Sequence, residues 1–315
     1  MTTSQVGSAL WSTVNQTSRL FYRSGLFVTT RLPCRVISVG NLQAGGAGKT
    51  PLVMKIAREA VNLGLRVCVL SRGYRSVWEK TGGVVFPEQI VDPALCGDEV
   101  TLVHAEVPEV WIGVGADRIS QFKKISETLK GQNQKPIDLV ILDDGFQHFK
   151  LYRDLDVIAV TDATPDERVF RDSWNAIPDD ALLVLTKGNS FPAPLQRHPH
   201  RVKVSYSFLK PPASVHYFLV CGLANPVQAK AALETAGYSI RSSVFLADHR
   251  LYQVDECNHW VRLAKEAGLK ILLTGKDAVK WAALGISSVE YDVVEPEVKI
   301  EQGAEIWRSL LWQST

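Results

Sequence analysis

The sequence predicts an α/β protein: a doubly wound α/β/α sandwich, then a second, smaller α/β domain, with an amphipathic helix in front. Three observations carry this. Short β-branched runs such as Val36–Val39, Ile137–Leu142 and Val157–Val160 alternate with helical patterns, which implies a mainly parallel sheet. A proline-rich zone (Phe191-Pro192-Ala193-Pro194, Pro199, Pro211-Pro212) breaks the alternation, which restarts beyond it. The first 32 residues mix aromatic and aliphatic residues with Ser, Thr and Arg, and no Asp or Glu precedes Glu59. The expected division is an N-terminal helix over 1–32, a first domain over 33–190, a linker over 191–214 and a C-terminal domain over 215–315.

In the leading segment, polar residues interrupt every apolar run among Leu10, Trp11, Val14, Leu20, Phe21, Tyr22, Leu26, Phe27 and Val28. It therefore cannot span a bilayer as ~20 continuous apolar residues would. An amphipathic helix lying in a membrane interface fits the Arg-plus-aromatic mixture. A transit peptide for an organelle and an ordinary packed helix fit it as well. A net charge of +2 on 315 residues does not call for nucleic acid, and no obligate protein partner is inferred. The five cysteines are scattered without a C-x-x-C pair, as buried thiols in a reducing compartment would be.

The first strand runs into Gly40-Asn41-Leu42-Gln43-Ala44-Gly45-Gly46-Ala47-Gly48-Lys49-Thr50-Pro51. Strand, glycine-rich turn and helix start build a phosphate cradle, in which Gly45, Gly46, Ala47 and Gly48 bring backbone N–H groups to an anion. Lys49 then reaches the β/γ-phosphates and the Thr50 hydroxyl holds Mg²⁺. The loop is P-loop-like but not strict, because Gln43 stands where the first glycine belongs. Ala44 replaces the second lysine of partition-type ATPases. No N/T-K-x-D strand end is present, so guanine recognition is disfavoured.

Further polar residues fall at predicted strand ends, the edge at which open α/β sheets bind ligands. Arg66–Leu70 ends in Ser71-Arg72, and a helix starts near Asp98-Glu99. Asp117 caps a helix that begins with Arg118. Ile137–Leu142 ends in Asp143-Asp144-Gly145-Phe146-Gln147-His148, where Asp143 is the expected partner on the metal side. Residues 76–97 read as a hairpin or irregular excursion. In the second domain Leu246-Ala247-Asp248-His249 closes a strand. Taken alone, Asp98 could equally be a helix cap and His249 a satisfied loop histidine.

These motifs, with Gly97-Asp98-Glu99, Arg153-Asp154-Leu155-Asp156, Gly222-Leu223-Ala224-Asn225-Pro226 and Thr274-Gly275-Lys276-Asp277, resemble the tetraacyldisaccharide 4′-kinase family of lipid A biosynthesis. The resemblance covers most of residues 36–277 in order. It implies a P-loop-containing α/β/α sandwich facing a smaller α/β domain, ATP and Mg²⁺ as cofactors, and an anionic glycolipid substrate. It also implies docking of the N-terminal helix on the cytoplasmic face of the bacterial inner membrane. By family role, Asp98 and His249 form the catalytic pair and Thr50 with Asp143 serves the metal. Glu99, Asp144 and His148 then brace the site, and Arg72, Arg118 and Arg171 are candidate phosphate or substrate clamps. Departures are Val100 for the usual proline, Gly275 for the usual glutamate, Arg250 after Asp248-His249, and an altered loop at Val169–Ser173. A kinase or ligase for a small soluble metabolite, and a nucleotide switch, are the competing readings.

Overall fold

The computed structural model describes residues 3–43, 46–164, 167, 169–211, 214–248 and 250–313, with side chains from residue 11 onward. Gly45 and His249 therefore lie outside the described residues. Among the described residues, the larger sheet contains β1 (Arg35–Asn41), β2 (Val67–Ser71), β3 (Gly83–Val85), β4 (Trp111–Val114), β5 (Leu139–Asp143), β6 (Leu155–Thr161), β7 (Leu182–Lys187) and β8 (Arg201–Ser207). The smaller sheet holds β9 (His216–Cys221), β10 (Ser239–Phe245), β11 (Lys270–Thr274) and β12 (Tyr291–Val294), after which β13 (Glu297–Gln302) rejoins the first.

Strand order in the larger sheet is β13-β8-β7-β6-β1-β5-β2-β4-β3, parallel except for β3 and β13 at the edges. β1 thus sits between β5 and β6, a topological switch point at which a crevice opens beyond the strand ends. The second sheet, β10-β9-β11-β12, is parallel throughout. Burial on both faces explains why the central strands read as unbroken apolar runs, β6 being buried along its whole length.

The helices are α1 (Thr3–Arg23), α2 (Lys49–Asn62), the short α3 (Trp78–Thr81) and α4 (Pro93–Cys96), α5 (Asp98–Glu106), α6 (Arg118–Gly131), α7 (Pro226–Thr235), α8 (Val254–Glu266), α9 (Gly275–Ala283) and α10 (Ala304–Trp312). α2 follows β1 directly and buries Leu52, Val53, Met54, Ile56, Ala57 and Ala60 in the main core. α1 does the opposite. Its domain-facing side carries Ser12, Asn15, Ser18, Arg19 and Tyr22, spaced as one helical stripe, while Trp11, Val14, Leu20 and Phe21 are exposed. No described helix is long and apolar enough to cross a membrane.

Two stretches fall elsewhere than the sequence reading puts them. The 191–214 stretch, expected as linker, contains β8, a full member of the larger sheet. The end of the expected 215–315 domain returns to that sheet: β13 pairs antiparallel with β8, and α10 buries Trp307 and Leu311 in the main core. Glu59 of α2 fixes α10 by accepting from Trp307 Nε1 at 2.8 Å and Trp312 Nε1 at 2.9 Å. The edge of β8 needs a partner, and β13 supplies it. The 76–97 excursion holds α3, β3 and α4.

Candidate functional site

β1 and β5 lie in register, Val39 opposite Asp143, so the glycine-rich turn and the carboxylate block leave the sheet side by side. Gly40 is required here because a Cβ would run into the backbone and Cβ of Phe146. Gly48 caps α2 at φ 74°, the left-handed region, with the Tyr206 hydroxyl packed where a side chain would stand. Gln43 is buried, and its Oε1 accepts from Thr161 Oγ1 at 2.7 Å. The departure from a strict P-loop is thus an anchored amide.

At the start of α2, Lys49 Nζ donates to Asn41 Oδ1 at 3.3 Å and lies 3.4 Å from Asp144 Oδ1. Arg171 Nη1 meets the other Asp144 oxygen at 2.8 Å. Burial opposes the Asp144 charge, but Lys49 and Arg171 outweigh it and hold its pKa at about 2. Asp143 accepts from Ser71 Oγ at 2.9 Å. Burial, then repulsion from Asp144, pushes its pKa up. Two adjacent carboxylates are therefore set apart, Asp144 neutralised by cations and Asp143 left needing positive charge. Arg118 is buried and donates to the Asp143 carbonyl at 2.8 Å, so it braces the end of β5.

The second group lies on α5 and α9. Asp98 opens α5 and is buried; its Oδ2 is 3.2 Å from Lys280 Nζ and 3.6 Å from Lys276 Nζ, both from the second domain. Lys276 also meets Asp248 Oδ1 at 2.8 Å and Glu99 Oε1 at 3.8 Å. Burial works against the Lys276 charge, yet Asp98, Asp248 and Glu99 raise its pKa. Glu99 links the two groups. Its pKa is raised first by burial, then by Asp143, while Lys276 and Lys49 pull it down. His249, outside the described residues, directly follows Asp248 in the chain.

Two further candidates are Arg72 and His148. Arg72 is 61% exposed and pairs with Glu79 at 2.8 Å, which directs it along the surface of its own loop. His148 is held neutral, its pKa lowered to about 3 by burial and by Arg118 and Arg153. A neutral imidazole can brace the carboxylate block but offers phosphate no charge. Asn41, Ser71 and Lys276, which stand in the motifs without an assigned role, and Lys280, which lies outside them, join the site. Only the i, i+4 spacing of the two lysines on one helix hinted at a shared face.

Gly275 stands where the resemblance leads to a glutamate. Its N–H donates to Glu295 Oε2 at 3.1 Å, and a Cβ at 275 would overlap that carboxylate. A carboxylate from the β12–β13 connection thus fills the space beside residue 275. Burial, then Glu106, raises the Glu295 pKa to about 8.

A glycine-rich turn at the switch point, opening a helix at Lys49 beside an aspartate-ended strand, defines the class: a P-loop protein of the doubly wound α/β type. The model of the family described as tetraacyldisaccharide-1-P 4′-kinase matches residues 5–314. The chain belongs to that family. It is 33% identical over 285 residues to the tetraacyldisaccharide 4′-kinase of Geobacter metallireducens, covering 83% of this chain and 82% of the relative. Identity to the Syntrophus aciditrophicus enzyme is 30% over 307 residues, covering 84% and 80%. The fold matches a crystal structure of LpxK from Aquifex aeolicus in complex with ATP, with TM-score 0.76 at 25% identity over 97% of this chain and 96% of that one.

Proposed function

We propose that the protein transfers the γ-phosphoryl of ATP to the 4′-hydroxyl of tetraacyldisaccharide 1-phosphate, giving the 1,4′-bisphosphate. The observation that supports this most directly is Asp98, a buried carboxylate held by Lys276 and Lys280 and joined through Glu99 to the Lys49 side of the crevice. A sugar hydroxyl is a weak nucleophile, so a positioned carboxylate must accept its proton as the phosphoryl group transfers. Asp98 is the proposed acceptor. His249, next in sequence to Asp248, which shares Lys276 with Asp98, is the proposed group that orients it. Lys49 and the backbone of the turn bind the β/γ-phosphates, and Arg171 holds charge beside them.

Mg²⁺ fits the donor set. Asp143 and Glu99 both have raised pKa values, the mark of carboxylates short of positive charge, and the Thr50 hydroxyl is the third hard oxygen nearby in the motif. Among the described residues no three His, Cys, Asp or Glu side chains converge as a self-sufficient metal cage. An ion held by Asp143, Glu99 and Thr50 would take its remaining oxygen ligands from the nucleotide and from water. Bound there, it would neutralise charge on the β- and γ-phosphates.

The outward apolar side of α1, followed by exposed Leu26, Phe27 and Val28, supports peripheral docking on the inner membrane's cytoplasmic face, where an anionic lipid substrate is presented. The test is ATP-dependent labelling of the disaccharide 1-phosphate lipid against water-soluble sugars. The lipid should be labelled and the sugars should not. Asp98→Ala should lower kcat strongly while ATP affinity changes little, and His249→Ala should add less than multiplicatively. Labelling of soluble sugars alone would overturn the substrate assignment, and an Asp98→Ala defect confined to ATP binding would overturn the base.

A further inference from the structure

We propose that α1 is a positioning element of the phosphate site: Asn15 and Arg19 hold residues 170–173 so that Arg171 meets Asp144 beside Lys49. The proposal rests on the reading of Arg171 as a phosphate-side group and adds a role for the helix beyond contact with a surface.

The contacts run in one chain. Asn15, buried, donates from Nδ2 to the Arg171 carbonyl at 2.7 Å. Arg19 donates to Asp172 from both terminal guanidinium nitrogens, Nη1 and Nη2, the Nη1 contact being 3.4 Å, and the Asp172 side chain is fully buried. On its other side the same segment is tied to the entrance of the glycine-rich turn. Arg171 N donates to the Leu42 carbonyl at 2.6 Å, and Phe170 bridges to Gln43. The Arg171 guanidinium projects from this clamp to Asp144 at 2.8 Å, and Asp144 meets Lys49 at 3.4 Å.

Arg19 reaches the opposite end of that pair too. Its guanidinium lies 5.1 Å from the Phe149 ring centre and 5.7 Å from that of Phe146, within the block that carries Asp143 and Asp144. One side chain of α1 therefore touches the segments bearing both partners of the Arg171–Asp144 pair. A guanidinium on a loop carries large conformational freedom, and fixing the backbone beneath it removes that cost from each catalytic cycle. The polar stripe of α1, unusual as the inward face of a helix, is accounted for by this duty. Losing either partner of Arg19–Asp172 leaves a buried charge unpaired, so the loop must shift.

The test is a mutant cycle in detergent micelles, where attachment to vesicles is not limiting. Arg19→Ala, Asn15→Ala, Arg19→Lys, Arg171→Ala and Arg19→Ala/Arg171→Ala are assayed for kcat, for KM with ATP, and for ATP affinity without acceptor. Arg19→Ala should lower kcat/KM for ATP by about tenfold and lower the melting temperature as well, since Asp172 is left buried and unpaired, whereas Asn15→Ala should lower kcat/KM by about threefold with a melting temperature near that of the parent. Arg19→Lys should recover part of the loss. In the Arg171→Ala background, Arg19→Ala should change the remaining activity by less than about twofold, because its route is already gone. Multiplicative losses, or parental kinetics in Arg19→Ala and Asn15→Ala alongside a damaged Arg171→Ala, would overturn the proposal. Parental behaviour of Arg171→Ala would remove Arg171 from the site and the proposal with it. If the parent fails to phosphorylate the lipid while ATP affinities follow the cycle, the coupling stands and the kinase reading falls. Should Arg19→Ala not fold, Asn15→Ala and Asn15→Ala/Arg171→Ala carry the same comparison.

Discussion

α1 and α2 serve the same crevice but are held to the protein by opposite faces. α2 is placed by the hydrophobic effect: Leu52, Val53, Ile56 and Ala57 are fully buried against the sheet, and its first residue, Lys49, reaches Asn41 and Asp144. α1 is placed by polar contacts through Asn15 and Arg19, and its apolar residues point away, Leu20 being 64% exposed. Amphipathicity alone therefore does not say which face of a helix meets its own domain. A core-facing helix buries its apolar side because water is the only alternative; under the proposed function, α1 would turn that side to a membrane interface.

The sharpest test of this contrast is Lys49→Ala. It should lower turnover about 10²–10³-fold, as loss of charge stabilisation in a phosphoryl-transfer site does, while the melting temperature holds because the apolar face of α2 is untouched. Near-parental turnover in a folded variant would break the phosphate reading. Next in size is a stability comparison. Ile56→Ala should cost about 2–5 kcal/mol in denaturant unfolding, whereas Leu20→Ala should stay within about 0.5 kcal/mol. Equal losses would mean that the outer side of α1 is packed after all.

Leu20→Ala should show its effect on vesicles instead. Removing most of a leucine side chain from an interface forfeits ~1–2 kcal/mol, so partition onto anionic liposomes should fall roughly tenfold and weaken further as salt rises. Unchanged flotation would make α1 a purely structural helix. The smallest effect concerns Glu295, beside the start of α9. Its pKa is raised in the fold, so the folded state binds the extra proton. The stability that this contributes is full below the ordinary carboxylate range near pH 4.5 and is lost as pH climbs through about 8. Glu295→Gln should therefore flatten the decline in melting temperature across that window, and an unaltered slope would argue against a protonated Glu295.

Much of this was legible in the residues. The Gly48-Lys49-Thr50 turn, the aspartate-ended strand and the β/α alternation are local signals, each carried by a few neighbours, and the structure realises them with α2 opening at Lys49. The arginines were less legible. Arg72, Arg118 and Arg171 look alike in sequence, yet Arg72 turns to Glu79, Arg118 supports the end of β5, and Arg171 reaches Asp144.

The glycine-rich turn between β1 and α2, the class of fold and the membership of a kinase family could be read from the residues, because backbone conformation and apolar periodicity are written over short spans. Tertiary structure alone decided that β13 and α10 return to the first sheet, that Lys276 and Lys280 cross to Asp98, and that α1 shows its polar stripe to the site. Those outcomes depend on partners far apart in the chain. An uncovered sheet edge, a buried carboxylate and a buried Asp172 each need a specific partner, and only the folded arrangement brings one within reach.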